Sequence, residues 1–303
     1  MSKKFEKGIL LIAYNNNQID YTRLAILAAA QAKKFMNNIH VTLMTDEPSL
    51  ETLFDQNKKA HIAVFDHIIV EKIQHEPNTR VHHDSPWYEF STQFSNKNKH
   101  SIYEKTPYEK TLMIDVDFLI GNDSLLSVFD TDIELAMYKD AISTRNYSPR
   151  IWEQRLHPNG IDMWWSTVVY WHSDSEEARL FFNIWQHVKE NYDYYKFLYK
   201  FPGKLYRTDY AASIAVHLIN GQYKNSWTCQ LPGQVMRYSD QIDELCHVHD
   251  NNDLVFLCPD PKEPWRVTTS RITDENIHVM NKLSILRHWE KLMETANERS
   301  IHN

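Results

Sequence analysis

The sequence predicts an α/β fold, a mostly parallel sheet with helices on its faces, and three observations carry that prediction. The first 70 residues alternate strand, helix, strand, helix, strand, the order that builds a sheet with crossover helices. Their strand segments are continuous apolar runs, which marks strands covered on both faces. A further run, 111–114, stops at two carboxylates, Asp115 and Asp117, and the carboxyl ends of the strands are where open α/β sheets bind ligands.

A chain of 303 residues suffices for one large domain or two small ones. With 42% hydrophobic and 24% charged residues and only 6 Gly, the composition is that of an ordinary globular protein. The formal net charge of −7 supplies no global basic field, so nucleic acid is not the default partner. Three cysteines, Cys229, Cys246 and Cys258, are too few and too irregularly spaced for a disulfide framework or a cysteine zinc site, and they point to a reducing cytoplasm, that of a host if the source is viral. No apolar run approaches the roughly 20 residues that span a bilayer, and the short run after the amino-terminal lysines lacks a cleavage site.

Taken in order, residues 8–14 form the first strand and open into Asn15-Asn16-Asn17, a polar turn. Asp20 caps a helix that runs through an alanine-rich stretch to Met36, with Lys33 and Lys34 in its last turn. A second strand, 39–44, ends at Thr45-Asp46, and a third, 67–70, follows a helical pattern over 49–57. Ala13, Tyr14, Asn15 and Asp46 thereby share one sheet edge with the carboxylate pair. No Gly-X-Gly-X-X-Gly and no Gly-X-X-X-X-Gly-Lys-Ser/Thr follows the first strand, which argues against a dinucleotide or P-loop site.

Residues 74–98 are irregular and polar, a surface excursion for substrate contacts that carries His82, His83, Trp87 and Tyr88. Adjacent histidines point apart in an extended chain, which argues against a joint metal site there. Lys97, Lys99 and Tyr103 fall in a helix ahead of the acidic strand. Beyond it come a short helix at 124–129, a strand at 133–138, a loop over 144–160, a strand at 161–171 with aromatic ends, and a helix at 175–192 whose apolar face is Ala178, Phe181, Phe182, Trp185 and Val188. The aromatic stretch 192–206 precedes a helix opened by Arg207-Thr208-Asp209-Tyr210 and running to Asn220, in which Thr208 or Asp209 is a candidate cap. His247 and His249 share one face of an extended segment, and 283–298 is an amphipathic packing helix.

In the stretch 110–123, Lys-Thr-Leu-Met-Ile-Asp-Val-Asp-Phe-Leu-Ile-Gly-Asn-Asp, alternation puts Asp115 and Asp117 on one side of an extended chain. Like charges there repel unless a cation lies between them. Oxygen ligands favour Mg²⁺ or Mn²⁺, which bind substrate phosphate as well. The bland reading is a strand end with two solvated acids.

Residues 106–117, Thr-Pro-Tyr-Glu-Lys-Thr-Leu-Met-Ile-Asp-Val-Asp, resemble the Asp-X-Asp strand of nucleotide-sugar-dependent glycosyltransferases of the GT-A fold, loosely their tailed-phage and bacterial members, and the likeness extends over the ordered pieces from 8 to about 220. The resemblance implies one GT-A-like (Rossmann-like) mixed-sheet domain over 1–303, with 1–130 as donor-nucleotide half, 131–225 as acceptor half and 226–303 as a carboxy-terminal extension closing the site. It implies Mn²⁺ or Mg²⁺ held by Asp115 and Asp117, with His278 as third ligand and His249 competing for that role. It implies a UDP-sugar donor whose base and ribose meet Ala13, Tyr14, Asn15 and Asp46 and whose diphosphate meets Lys99 and Lys282. Asp209 would bind the acceptor hydroxyl or take its proton, and Asp117 would be the second catalytic carboxylate. The chain departs from the family pattern in two places: His278 and Lys282 stand closer together than in the commonest version and without its glycine, and Ser166-Thr167 replaces a frequent glycine.

The implied activity is hexosyl or pentosyl transfer to a hydroxyl acceptor, a saccharide first. Aromatic rings between Tyr147 and Trp227, among them Trp152, Trp164, Trp165, Trp171 and Trp185, exceed what the helix at 175–192 needs, and rings suit a sugar face or an unstacked base equally. Three alternatives therefore stay open: a phage-type DNA glycosyltransferase acting on hydroxymethylated cytosine, a nucleotidyltransferase, and a non-enzymatic cation-dependent sugar-binding protein. No membrane span and no protein partner are expected.

Overall fold

The structure, a computed structural model, describes residues 4–54, 62–72, 78–95, 98–145, 154–157, 160–201, 203, 205–221, 228–233, 235–249 and 253–297. Lys97, Tyr147, Trp152, Trp227 and Glu298, together with parts of the segments 49–57, 74–98 and 144–160, lie outside them.

The expected α/β order holds. Strands β1 (Phe5–Ile12), β2 (Val41–Asp46) and β3 (His67–Glu71) are parallel neighbours, and helices α1 (Tyr21–Phe35) and α2 (Glu47–Phe54) make the crossovers that parallel pairing requires. The stretch after β3 holds a hairpin, β4 (Thr79–Ser85) with β5 (Tyr88–Gln93), where the sequence suggested irregular chain. Polar residues on both faces of β4, Thr-Arg-Val-His-His-Asp-Ser, hid the alternation. A short helix, α3 (Ile102–Lys105), leads into β6 (Tyr108–Asp115), which lies parallel to β1 on the side away from β2, with Ile12 opposite Asp115.

Next come β7 (Phe118–Leu119), a 3₁₀ turn over Ser124–Asp130, β8 (Leu135–Tyr138), β9 (Ala141–Ser143) and β10 (Trp165–His172). β10 runs antiparallel between β6 and β8, so the sheet is mixed. Helices α4 (Glu176–Glu190), α5 (Tyr192–Tyr199) and α6 (Thr208–Asn220) follow, then β11 (Cys229–Gln230), β12 (Met236–Ser239), β13 (Glu244–Val248), β14 (Asp253–Pro259), β15 (Val267–Thr273) and β16 (Ile277–Val279). The chain closes on α7 (Lys282–Arg287) and α8 (Trp289–Asn297), two helices where the sequence suggested one. Among the described residues the main sheet has seven strands in the order β11-β8-β10-β6-β1-β2-β3.

Local chemistry accounts for the helices. Asp20 accepts from the Arg23 amide at 2.9 Å and starts α1, which is apolar nearly all round because the sheet covers one face and α8 packs on another, with the Trp289 indole donating to the Arg23 carbonyl at 2.9 Å. Ser175 caps α4 through the Ala178 amide, and Phe181, Phe182 and Trp185 on its inward face stack on one another and on Trp171 of β10. Trp171 and Trp185 are thus core residues. No helix among the described residues is long and apolar enough to cross a membrane.

A second, smaller sheet, β7-β16-β12-β9, matters most for the site. β7 starts directly after Asp117 and pairs with β16, so Phe118 stands opposite His278 and the Val279 amide donates to the Asp117 carbonyl at 2.9 Å. Backbone pairing therefore sets His278 beside Asp117 across 161 residues of sequence. Just beyond, Gly121 lets two backbones meet: a Cβ there would lie 2.3 Å from the Glu275 carbonyl oxygen, and the Gly121 amide donates to Asn276 at 2.9 Å. Backbone cannot yield as a flexible side chain does. Gly121→Ala is expected to cost about 1–3 kcal/mol, the range for overpacking, and to shift β16 away from β7. Urea denaturation reads the cost; an unchanged midpoint would contradict this contact.

Candidate active site

A cavity of about 370 Å³ opens at the carboxyl ends of β1, β2, β3 and β6 and the amino end of the antiparallel β10. Its wall includes Tyr14, Lys99, Asp115, Asp117, Asp209, His278 and Lys282 of the residues singled out in the sequence. Strand β6 stops at Asp115, and Asp117 enters from the following turn, so the pair is presented by a strand end and a turn, not by alternation along one strand.

Each of these two carboxylates meets one ammonium. Lys99, itself buried, reaches Asp115 Oδ1 at 2.6 Å and donates at 2.6 Å to the Ser166 carbonyl. Lys282 reaches Asp117 Oδ2 at 2.6 Å, and His278 Nε2 faces the same oxygen at 3.3 Å. Burial pushes the Asp115 carboxyl upward; Lys99 opposes this and Asp117 adds to it. Burial would raise Asp117 too, but Lys282 and then His278 hold it well below the usual carboxylate range. Asp115 Oδ2 and Asp117 Oδ1 have no hydrogen-bond partner among the described residues.

The acceptor-side expectation, Asp209, sits at the start of α6. Its Oδ1 accepts from the Ser166 amide at 2.9 Å and from the Ser166 hydroxyl at 2.7 Å, and Arg207 Nη2 lies 3.9 Å from Oδ2. Against its burial, Arg207 and the Ser166 bonds keep the carboxyl low, hence ionised. Ser166 and Thr167 fall where the β8–β10 register slips between Trp165 and Val169, a bulge at the position where a family glycine was missing. Such an irregularity turns both residues into the cavity wall.

Sequence reasoning missed Arg80 and Tyr21, and it named His82 only within a surface excursion for substrate contacts and Trp165 only among rings suited to a sugar or base; all four line the wall. Arg80 and His82 project from β4, and the Arg80 guanidinium lies 4.3 Å from the Phe94 ring centre. Burial above all, then Lys282 and Arg80, push the His82 imidazole down to about 4, so it is uncharged at neutral pH. The Tyr21 hydroxyl, the Trp165 indole nitrogen and His82 Nε2 are buried without a hydrogen-bond partner among the described residues. The spacing Arg80-X-His82 is the one signal the sequence offered, since residues two apart share a strand face.

Other expected contacts lie elsewhere. Asn15 spends its side chain on Thr22 and Thr52 and its amide on Ser49, tying α1 to α2. Asp46 accepts from the Ser49 amide at 3.0 Å, and the Ala13 carbonyl accepts from Thr45 at 2.7 Å. None of the three lines the cavity. His249 packs against His247 at the end of β13, ring centres 4.2 Å apart, also away from the cavity. Of the tryptophans, Trp165 lines the cavity and Trp164 faces a separate shallow one beside α6.

Among the described residues no three His, Cys, Asp or Glu side chains converge closely enough to hold a metal as they stand. The donor set nevertheless fits a hard divalent cation in part. Two ligand atoms each about 2.1 Å from an octahedral ion stand roughly 3 Å apart, close to the 3.3 Å between Asp117 Oδ2 and His278 Nε2. Thr167 Oγ1, 3.5 Å from His278 Nδ1, is placed to orient the ring. The Lys282 ammonium now stands at the oxygen such an ion would use.

No protein-family model matches the chain, and no curated protein matches it. Among solved structures it is similar to the galactosyltransferase LgtC in complex with donor and acceptor sugar analogs, at 12% identity over 98% of this chain and 97% of that one with a TM-score of 0.47. It is similar to mouse xyloside xylosyltransferase 1 at 12% identity over 77% and 87%, TM-score 0.47. It is also similar to the glycosyltransferase GlyE of Streptococcus pneumoniae TIGR4 at 9% identity over 76% and 46%, TM-score 0.37, and so spans less than half of that chain. Likeness this distant leaves the chemistry to be read from the residues themselves.

The Lys99–Asp115 pair yields a direct test. Lys99→Met leaves Asp115 facing Asp117 without its ammonium. The cost is expected on the order of 2 kcal/mol, less than the 3–5 kcal/mol for stripping a fully buried pair, because 33% of the Asp115 side chain meets solvent and is screened. Chemical denaturation should show that Lys99→Met/Asp115→Leu regains most of the loss. A double variant as unstable as the single one would contradict the pairing.

Proposed function

We propose that this chain is an enzyme that transfers a sugar from a nucleotide-diphosphate donor, a UDP-sugar in the first instance, to a hydroxyl acceptor, a saccharide in the first instance. One observation carries the reading. Lys72, Arg80, Lys99, Lys105, Arg207 and Lys282 outnumber Glu71, Asp115, Asp117 and Asp209 around the cavity, although the chain has a formal net charge of −7. A local positive excess around an acidic pair suits a diphosphate better than a neutral ligand.

The roles follow from the side chains. Tyr14 offers its ring to a base, its hydroxyl being turned to Glu71 at 3.4 Å. Lys99 and Lys282 would meet the diphosphate, Lys282 by leaving Asp117. Asp115, Asp117 and His278 would hold Mn²⁺ or Mg²⁺, whose contribution when bound is to offset charge on the leaving diphosphate. Asp209, kept ionised by Arg207 and Ser166, suits hydrogen bonding to the acceptor hydroxyl better than strong proton abstraction. The unpartnered Tyr21 hydroxyl, Trp165 indole and His82 imidazole support a polyhydroxylated ligand, because buried polar groups without partners are costly and sugar hydroxyls would satisfy them. The unpaired state of Cys229, Cys246 and Cys258 supports a reducing, cytoplasmic setting.

The test is release of nucleoside diphosphate from a panel of nucleotide sugars, with Mn²⁺ or with chelator, in the presence of oligosaccharides. UDP release that rises with Mn²⁺ and falls on the order of a hundredfold in Asp117→Asn is expected. His278→Ala should demand more Mn²⁺, whereas His249→Ala should behave as the wild type. Turnover unaffected by Asp117→Asn would sink the assignment, and label passing to hydroxymethylcytosine DNA but to no saccharide would replace the acceptor.

A further inference from the structure

Helix α5 is apolar on two faces. Tyr192 and Tyr195 point inward, where Tyr192 packs on Phe201 and Tyr206 at ring distances of 5.4 and 4.8 Å and Tyr195 packs on His187 at 5.9 Å. Tyr194, Phe197 and Leu198, spaced i, i+3, i+4, form a second face turned to solvent, exposed by 62%, 83% and 52%. Leu205 in the following loop adds to it at 48%. Inward rings fix the segment, so the outward ones are held out, not frayed.

The charges beside this face say what would cover it. From Asp193, in the first turn of α5, to Arg207 the sequence holds Lys196, Lys200 and Lys204, the last outside the described residues, and Asp193 is the one carboxylate. In a chain of net charge −7 this concentration is local. Two copies meeting symmetrically here would bring the lysines of both together with only Asp193 of each to set against them. Rings and leucine flanked by lysines are the composition of a segment that lies in a lipid interface and is drawn to anionic headgroups.

We propose that the face formed by Tyr194, Phe197, Leu198 and Leu205, with Lys196 and Lys200, seats the protein reversibly on an anionic membrane surface. The segment runs straight into the cavity wall: the Arg207 amide donates to the Tyr192 hydroxyl at 2.9 Å, and Arg207, Thr208 and Asp209 line the cavity. Seating would thus bring that wall near the lipid. The inference does not depend on the sugar-transfer reading, because its readout is partitioning and not turnover.

Co-sedimentation with vesicles decides it. The wild type is expected to pellet with vesicles of phosphatidylcholine mixed with phosphatidylglycerol, less with rising salt, and hardly with phosphatidylcholine alone. Lys196→Glu/Lys200→Glu should weaken partitioning by at least about twentyfold, from roughly fivefold per lysine near a charged surface, and Phe197→Ser/Leu198→Ser by about tenfold or more. Both variants should keep the wild-type circular dichroism and melting temperature, since none of the altered residues belongs to the buried core. Equal pelleting with both vesicle types, no pelleting with either, or a dimer in light scattering that Phe197→Ser/Leu198→Ser dissolves would each overturn the proposal.

Discussion

Asp115 and Asp117 stand two residues apart in the wall of one cavity, and the withdrawal of both charges from water, Asp117 almost wholly and Asp115 in part, is the constraint around which the rest is arranged. Left alone, two carboxylates so placed would each drive the other toward protonation. The fold answers with two ammonium groups from opposite directions, Lys99 ahead of the acidic strand and Lys282 at the far end of the chain. This neutralisation is local and one-for-one. It also leaves one oxygen of each carboxylate without a partner among the described residues, and six cationic side chains stand against four carboxylates around the cavity.

Delivery of Lys282 and His278 explains the second sheet. A chain that only needed to complete the main sheet could end after β11, but β16 must reach β7 for His278 to stand beside Asp117. Gly121 and Asn276 exist in their present contacts because two backbones pass too closely for a side chain between them. The hairpin β4–β5 is tied to the same end of the chain, Asp84 to Arg287 at 2.7 Å and its carbonyl to Asn281 at 3.1 Å. Arg80, His82, His278 and Lys282 therefore depend on one packed unit, and a change to any part of it is felt at the carboxylates.

Much of this was legible in the sequence, for reasons that differ by element. Strands β1, β2 and β6 announce themselves because burial forces continuous apolar runs, the edge strand β3 by its short apolar run although it is only half-buried, and α4 because one face alone is buried. Asp115 and Asp117 stood out because carboxylates at the end of a buried strand need a reason, whereas Asp209 was read from its position only as a candidate cap and its acceptor role came from the resemblance alone. The hairpin was not, since a strand with polar residues on both faces has no period to read. Nor were the ion pairs, because the partners of Asp115 and Asp117 are 16 and 165 positions away and only the fold decides which cation arrives. Asn15 shows the limit of reading by position: it follows the first strand as expected, but its three polar groups are taken by Ser49, Thr22 and Thr52, whereas Tyr14 beside it enters the cavity.

The central claim is that the cavity's cations are there for a diphosphate and that Lys282 exchanges Asp117 for it. Calorimetric titration of UDP with Mn²⁺ into the wild type and Lys282→Met tests this most directly. The account predicts saturable binding to the wild type and roughly tenfold or greater weakening in Lys282→Met, as a lost charge-assisted hydrogen bond of 1.5–3 kcal/mol requires. UDP bound equally well by Lys282→Met, or not bound by the wild type at all, would contradict it.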